Sequence, residues 1–227
     1  MRIDILTLFP DMFKEMLNES IIKRAIESKK VTVNLINIRD FSTLNNNQVD
    51  DTPYGGGGGM VLMCDPVFKA IESVKTSESV VIMLTPSGKT YNESEAIRYS
   101  KLKHLILLCG HYEGFDERIK TMIDEEVSIG DFVLTGGEIP AMAIADSVIR
   151  LIPGVITESS LESESFTDNL LDYPVYTKPQ EYRGLKVPDV LVSGDHKKIK
   201  EYRESERIRL TKEKRPDLIK QVGLCIR

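Results

Sequence analysis

The residues best placed to do chemistry lie between Leu105 and Pro140, in LILLCGHYEGFDERIKTMIDEEVSIGDFVLTGGEIP. An apolar run, Leu105–Cys109, stops at Gly110 and gives way to the turn-like HYEG; further on, Gly130, Gly136 and Gly137 surround Phe132–Leu134. Glycine lets main chain approach a ligand where a Cβ would block it, so two glycine-broken strand ends this close together describe a ligand cradle built largely of backbone. Several chemistries are excluded. No GxGxxG is present, and no Gly-Lys-Ser/Thr follows the polyglycine run Gly55–Gly59, so neither common phosphate-binding loop is available. Cys64, Cys109 and Cys225 lack any CxxC spacing, and His104, His111 and His196 lack ligand spacing, which argues for a reducing compartment and against a protein-held metal.

The elements that must hold this cradle follow from periodicity. Residues 2–9 read as a first strand ending at Pro10, Pro10–Ser28 as one amphipathic helix, and Val31–Ile38 as a second strand. Strand, helix, strand in succession is a βαβ unit and predicts a parallel sheet. Arg39–Met60 is a long polar loop around the five glycines, expected to close on a ligand. Asp65 is expected to cap a helix that starts at Pro66 and runs to about Val74. A buried strand, Val80–Leu84, should end in Thr85-Pro86-Ser87-Gly88; a helix should open at Asn92-x-x-Glu95 and reach about Tyr99. Leu105–Cys109 is the next strand, Phe115–Ile123 helical, Glu126–Ile129 a strand, Phe132–Leu134 a short continuation, and Glu138–Leu151 the closing helix. The class is α/β with ligand loops at the strand ends.

Composition places the chain among ordinary globular proteins: 227 residues, 41% hydrophobic and 29% charged. No apolar stretch is long enough to span a membrane, and MRIDILTLFP reads as a first strand rather than a signal peptide, so the expectation is a cytoplasmic protein without membrane contact. The net charge of −5 is unevenly spread: residues 173–227 hold 14 Lys/Arg against 8 Asp/Glu, while residues 1–172 hold 16 against 27. A basic tail on an acidic body is compatible with nucleic-acid contact, and equally with a solvated helix of paired charges. Residues 157–172, with five acidic residues and four serines, read as an exposed linker or lid; beyond Tyr173-Pro174, Ser193 is expected to cap a charged helix through about Lys212, and Pro216–Gln221 to form a last short helix.

VDDTPYGGGGGMVL (49–62), LLCGHYEGFDERI (107–119), IDEEVSIGDFVLTGGEIPAM (123–142), DSVIRLIPGV (146–155) and LLDYPVYTKP (170–179) closely resemble the bacterial tRNA (guanine-N1-)-methyltransferases, which methylate guanosine 37 beside the anticodon. The resemblance spans residues 1 to about 185. It implies a SPOUT-type parallel sheet tied into a deep trefoil knot, plus a small helical C-terminal domain, although connectivity rules alone would give an unknotted fold. The implied organisation is a knotted S-adenosylmethionine-binding catalytic domain (1–156), a linker or lid (157–172) and a helical tRNA-binding domain (173–227). A homodimer with the active site at the subunit interface is implied too.

Carried over motif by motif, the cofactor cradle comprises Leu84, Thr85, Pro86, Gly110, Tyr112, Glu113, Gly114, Ser128, Ile129, Gly130, Asp131, Phe132, Val133, Leu134, Gly136, Gly137 and Pro140. Such a cofactor brings its own electrophile, so no nucleophile is required of the protein. Guanine N1 must lose its proton to react, which calls for a carboxylate base and a cation near O6. The resemblance assigns the cation to Arg150 and the base to the position of Glu164, in Ser163-Glu164-Ser165-Phe166, where the family has aspartate; Asp168 is the second choice. By the same resemblance Asp50, with Asp51, and Tyr54, beside Gly55 and Gly56 of the polyglycine loop, correspond to positions near the target guanine or the partner subunit; they could equally serve as cap and turn. The family's Mg²⁺ dependence leaves room for that ion, although no metal cage is legible. The competing readings are a SPOUT enzyme acting on another RNA, and a catalytically silent RNA-binding relative.

Overall fold

The strands of the first 156 residues are, in chain order, β1 (Arg2–Thr7), β2 (Thr32–Asn37), a hairpin of the two-residue strands β3 (Asp50–Asp51) and β4 (Val61–Leu62), then β5 (Ser79–Thr90), β6 (His104–Cys109) and β7 (Glu125–Ser128). The computed structural model describes residues 1–157, 161 and 164–220. Within it, Met1–Ile156 and Thr157–Arg227 are two compact units.

Five strands of the first unit make one parallel sheet in the order β2-β1-β6-β5-β7. Both of its faces are covered, which is why β6 reads as an unbroken apolar run and is buried at every residue. Period-two alternation divides its side chains. Leu105, Leu107 and Cys109 join Ile3 and Ile5 against Ile22 and Ala25 of α2 (Ser20–Glu27), Tyr99 of α4 (Glu93–Ser100) and Ile144 and Val148 of α5 (Glu138–Ile149). Ile106 and Leu108 join Leu6, Val81 and Met83 against Val67, Ala70 and Ile71 of α3 (Cys64–Val74) on the other face. Each fully buried aliphatic side chain contributes about 1.5–3 kcal/mol, so the layers hold the strand ends in fixed positions.

Four local expectations in the first unit require correction. The helix expected over Pro10–Ser28 is three pieces: a 3-10 turn (Pro10–Phe13), α1 (Lys14–Asn18) and α2. The chain kinks at Glu19, which is extended, and at Ser20, whose φ is +53°; apolar spacing alone carries no signal for such a break. α3 begins at Cys64 with Met63 at its cap, and Asp65 instead pairs with Lys69 one turn on, at 2.8 Å. β5 does not end at Leu84: Leu84 and Lys89 both face Val127 of β7, so residues 85–88 bulge out of the pairing and the strand then resumes. Phe132–Leu134 forms no strand, because β7 ends at Ser128 and the Phe132 amide turns back to the Gly130 carbonyl at 3.0 Å.

The second unit is built from short pieces. β8 (Glu181–Tyr182) and β9 (Leu185–Lys186) pair antiparallel across Arg183-Gly184, both at positive φ as a two-residue hairpin requires. α6 (Asp189–Val192), α7 (His196–Lys214) and α8 (Pro216–Lys220) follow. The cap of α7 is Asp195, whose carboxylate accepts from the Lys198 amide at 3.1 Å, and not Ser193. Much of the charge of α7 is paired along its own surface, Arg209 bridging Glu206 and Glu213. Gln221, Cys225, Ser163 and part of the expected lid lie outside the described residues.

Candidate functional site

Three adjacent strands of the first unit, β6, β5 and β7, open at their carboxyl ends onto a cavity of about 410 Å³. Ligands of parallel α/β sheets bind there, since the loops leaving neighbouring strands diverge and leave a crevice. One wall is the bulge of β5, with Leu84, Thr85, Pro86 and Ser87 lining the space. Gly88 permits that bulge: a Cβ there would stand 2.3 Å from the Val127 amide nitrogen. A second wall is the turn after β6, Gly110 to Phe115, and the third is the loop from Ser128 to Gly137 with Pro140 of α5.

The third wall is pressed against the second by backbone alone. A Cβ on Gly137 would lie 2.7 Å from both Cys109 Cα and the Gly110 nitrogen, and the Gly137 amide donates to the Gly110 carbonyl at 2.8 Å. Beneath this contact Glu138, only 3% exposed, accepts from the Thr7 hydroxyl at 2.8 Å and ties the start of α5 to the end of β1. Burial, and then the Glu138 charge, push the Cys109 thiol well above its ordinary value, so it stays protonated and is no nucleophile.

The lining divides into an apolar slot and a polar margin. Leu84, Pro86, Ile129, Phe132, Val133, Leu134 and Pro140 supply the slot. The margin carries Glu113, Glu117 and Lys120, with Lys120 held by Glu117 at 3.0 Å and by Glu126 at 3.5 Å. His111, also in the wall, has its Nδ1 buried without a hydrogen-bond partner among the described residues. Excess carboxylate, a flat apolar slot and a glycine-backed wall fit a cationic, adenosine-bearing ligand such as S-adenosylmethionine. They do not fit a polyphosphate.

The cavity gathers every expected cofactor residue except Asp131, which is exposed and is not among its lining residues. Ser87, His111, Phe115, Glu117, Lys120, Val127 and Thr135 line it without having been anticipated. Glu117 and Lys120 lie one turn apart in the segment after β6, which folds as a 3-10 helix (Glu117–Met122). The polyglycine loop closes the β3–β4 hairpin, and its far end is stitched to the cavity turn: the Glu113 amide donates to the Met60 carbonyl and the Leu62 amide to the Gly114 carbonyl, each at 2.9 Å. Gly59 lies under the Glu113 side chain.

The other expected site residues lie elsewhere. Asp50 sits half-buried in β3, Tyr54 is fully exposed, and Gly55 and Gly56 have positive φ with open space around them. Arg150 caps the carboxyl end of α5 and is half-buried. Glu164 and Asp168 belong to the second unit; Glu164 is half-buried, and Asp168 is exposed at φ +53° in a 3-10 turn. None of these is among the cavity-lining residues. The described residues bring no three of His, Cys, Asp and Glu together as a metal cage, and contain no helix long and apolar enough to cross a membrane.

Residues 1–221 match the model of the family described as tRNA (Guanine-1)-methyltransferase TrmD. The chain is 59% identical to the tRNA (guanine-N(1)-)-methyltransferase of Malacoplasma penetrans over 218 residues, covering 96% of each protein. It is 56% identical to the enzyme of the same description from Mycoplasma capricolum over 220 residues, covering 96% of this chain and 92% of that one. Against the Staphylococcus aureus protein so described the identity is 50% over 227 residues, covering 99% and 93%.

Proposed function

The chain belongs to the tRNA (guanine-1)-methyltransferase family and is an enzyme that methylates guanine N1 in tRNA, and from this premise we propose that the donor is S-adenosylmethionine and the target guanosine 37, beside the anticodon. The observation that carries the donor assignment is the apolar, glycine-walled cavity at the ends of β6, β5 and β7. When bound, S-adenosylmethionine supplies an activated methyl group. Ile129, Phe132 and Leu134, with Leu84 and Pro86, would hold its adenine, and Glu113 and Glu117 would favour its positive charge.

The chain's own task is to make N1 nucleophilic and hold it still. Glu164 takes the N1 proton as general base, with Asp168 second in line, and Arg150 stabilises the charge that develops on O6. Asp50, Tyr54 and the open backbone of Gly55 and Gly56 hold the target base. The hydrogen bonds that tie Met60 and Leu62 to the cavity turn, one accepted by the Met60 carbonyl and one donated by the Leu62 amide, support that role, because they couple the hairpin to the donor's pocket. Alignment of base and donor accounts for the rest of the rate enhancement.

The homodimer with its active site at the subunit interface belongs to the same proposal. It is supported by apolar side chains around the cavity, Phe132, Val133 and Ile139, exposed by 54, 83 and 51%. The deep trefoil knot belongs to the same proposal and is supported by the Gly137 amide donating to the Gly110 carbonyl, which holds the loop after β7 against the turn after β6. Residues 1–156 act as the catalytic domain, 157–172 as linker or lid and 173–227 as the tRNA-binding domain, in the cytoplasm. A Mg²⁺ ion, if required, is held through one or two carboxylates and RNA oxygens while keeping most of its water.

The decisive experiment is methyl transfer from labelled S-adenosylmethionine to unmodified tRNA carrying G or A at position 37, with the product nucleoside identified. Formation of 1-methylguanosine only with G37 is expected. Transfer to any other atom or position overturns the proposal.

A further inference from the structure

The second unit contains a cleft that the methyl-transfer chemistry leaves unused. It measures about 630 Å³ and lies between the extended segment 173–180 and one side of α6 and α7. Its floor is apolar and half-buried, made by Val187, Leu191 and Ile199. Its walls are aromatic and cationic. The Arg203 guanidinium lies over the Tyr173 ring, 4.7 Å from the centroid. Arg203 follows Ile199 by one turn of α7, so both project into the same space. Tyr176 stands in the wall 49% exposed, Lys178 lines the cleft and is exposed, and no Asp or Glu is among the lining residues.

Half-exposed tyrosines beside a guanidinium and a lysine, without a carboxylate, match the way single-stranded nucleic acid is held. Rings and guanidinium planes stack on unpaired bases, and the ammonium meets the neighbouring phosphate. The charge is complementary to RNA, the macromolecule on which the family acts. We propose that this cleft binds an unstacked nucleobase of the tRNA, one other than the methylated guanine. The base stacks on Tyr176, the Arg203–Tyr173 pair forms the opposite wall, and Lys178 contacts the adjoining phosphate. This rests on the tRNA-methyltransferase reading and adds a second recognition point to it.

The test uses the full-length protein and unmodified tRNA, with Kd measured over a salt series. Tyr176→Ala should weaken tRNA binding about tenfold or more while leaving the slope against salt unchanged, as loss of one stacked base does. Tyr176→Phe should bind within about twofold of wild type, and Arg203→Lys, which keeps charge but loses the planar face, should weaken binding. Lys178→Gln should lower the salt slope by about one. Calorimetric affinity for S-adenosylhomocysteine should be unchanged in all four variants. Wild-type tRNA affinity in both Tyr176→Ala and Arg203→Lys would overturn the proposal. So would a Tyr176→Phe defect as large as that of Tyr176→Ala, or a change in sedimentation of Tyr176→Ala showing that the cleft is a surface between copies of this chain. Failure of the wild-type protein to bind tRNA at all would instead remove the reading on which the proposal rests.

Discussion

Replacing Gly137 with alanine tests whether the cavity wall is set by backbone contact. The new Cβ would stand 2.7 Å from two backbone atoms, Cys109 Cα and the Gly110 nitrogen, and 3.1 Å from the Cys109 carbonyl carbon, where ordinary contact begins at 3.4 Å. Gly137 has φ −83°, which any residue adopts, so the cost is steric alone. Neither side yields cheaply, because Cys109 is the last residue of a fully buried strand and Glu138 anchors the other side to Thr7. The loop must retreat by roughly 0.7 Å, stretching the 2.8 Å bond from the Gly137 amide to the Gly110 carbonyl. Overpacking of this kind costs about 1–3 kcal/mol, and the weakened hydrogen bond about 1 kcal/mol more. If about 2 kcal/mol of this falls on the cofactor-binding geometry, affinity drops roughly thirtyfold. The assay is calorimetric titration with S-adenosylhomocysteine, with thermal unfolding in parallel. Two controls rank the mechanism. Gly136→Ala meets the buried Glu138 side chain, the His111 side chain and the Gly110 carbonyl oxygen and should also weaken binding, and Gly58→Ala, with nothing within 4 Å, should leave cofactor affinity unchanged. Equal affinities for Gly137→Ala and Gly58→Ala would refute the argument.

Three further outcomes are expected. Glu164→Gln should abolish methyl transfer and leave S-adenosylhomocysteine binding intact, as single-turnover kinetics beside calorimetry will reveal; near-normal turnover excludes Glu164 as the base. Arg98 bridges Glu95 and Glu125, and hydrogen bonds from Lys89 and Arg98 to Glu95, and from Arg98 to Glu125, hold both carboxyls below their ordinary range. Carboxyls lowered in the folded state stabilise above the unfolded-state value of about 4.3, and that stabilisation is lost as pH falls through their folded values. Arg98→Met should therefore lower the melting temperature at pH 7 and flatten its decline in acid, whereas parallel Tm–pH curves for variant and wild type would contradict this. Asp195→Ala removes the side-chain cap of α7 and should cost about 1 kcal/mol in urea unfolding, and Ser193→Ala, which removes no such cap, should cost less.

Legibility in the sequence followed locality. β6 could be read because an apolar run bounded by glycine is a local signal, and α4 because Asn92 and Glu95 announce its cap, which the structure bears out at 3.2 Å. Asp65 and Ser193 are residue types favoured at caps, but whether they cap depends on where the chain turns. The break at Glu19 and Ser20 leaves no mark in the sequence because the apolar spacing continues through it. The cavity's cradle was legible because close backbone approach admits only glycine, and that leaves a mark in the sequence. Ser87, Glu117 and Lys120 were not legible, since a polar residue in a loop looks the same whether or not it faces a pocket.

The sequence by itself determined the alternation of strands and helices, the parallel class of the sheet, the glycine positions of the cavity wall and, through its motifs, the family. Those properties depend on near neighbours along the chain or on residue types that only one geometry tolerates. Tertiary structure alone decided that β6 lies between β1 and β5, that β5 bulges over Val127 to form a cavity wall, and that Glu138 reaches back to Thr7 across most of the unit. Each of these is a pairing between residues distant in sequence. It is chosen by the packing of both faces of the sheet at once, and no window along the chain contains both partners.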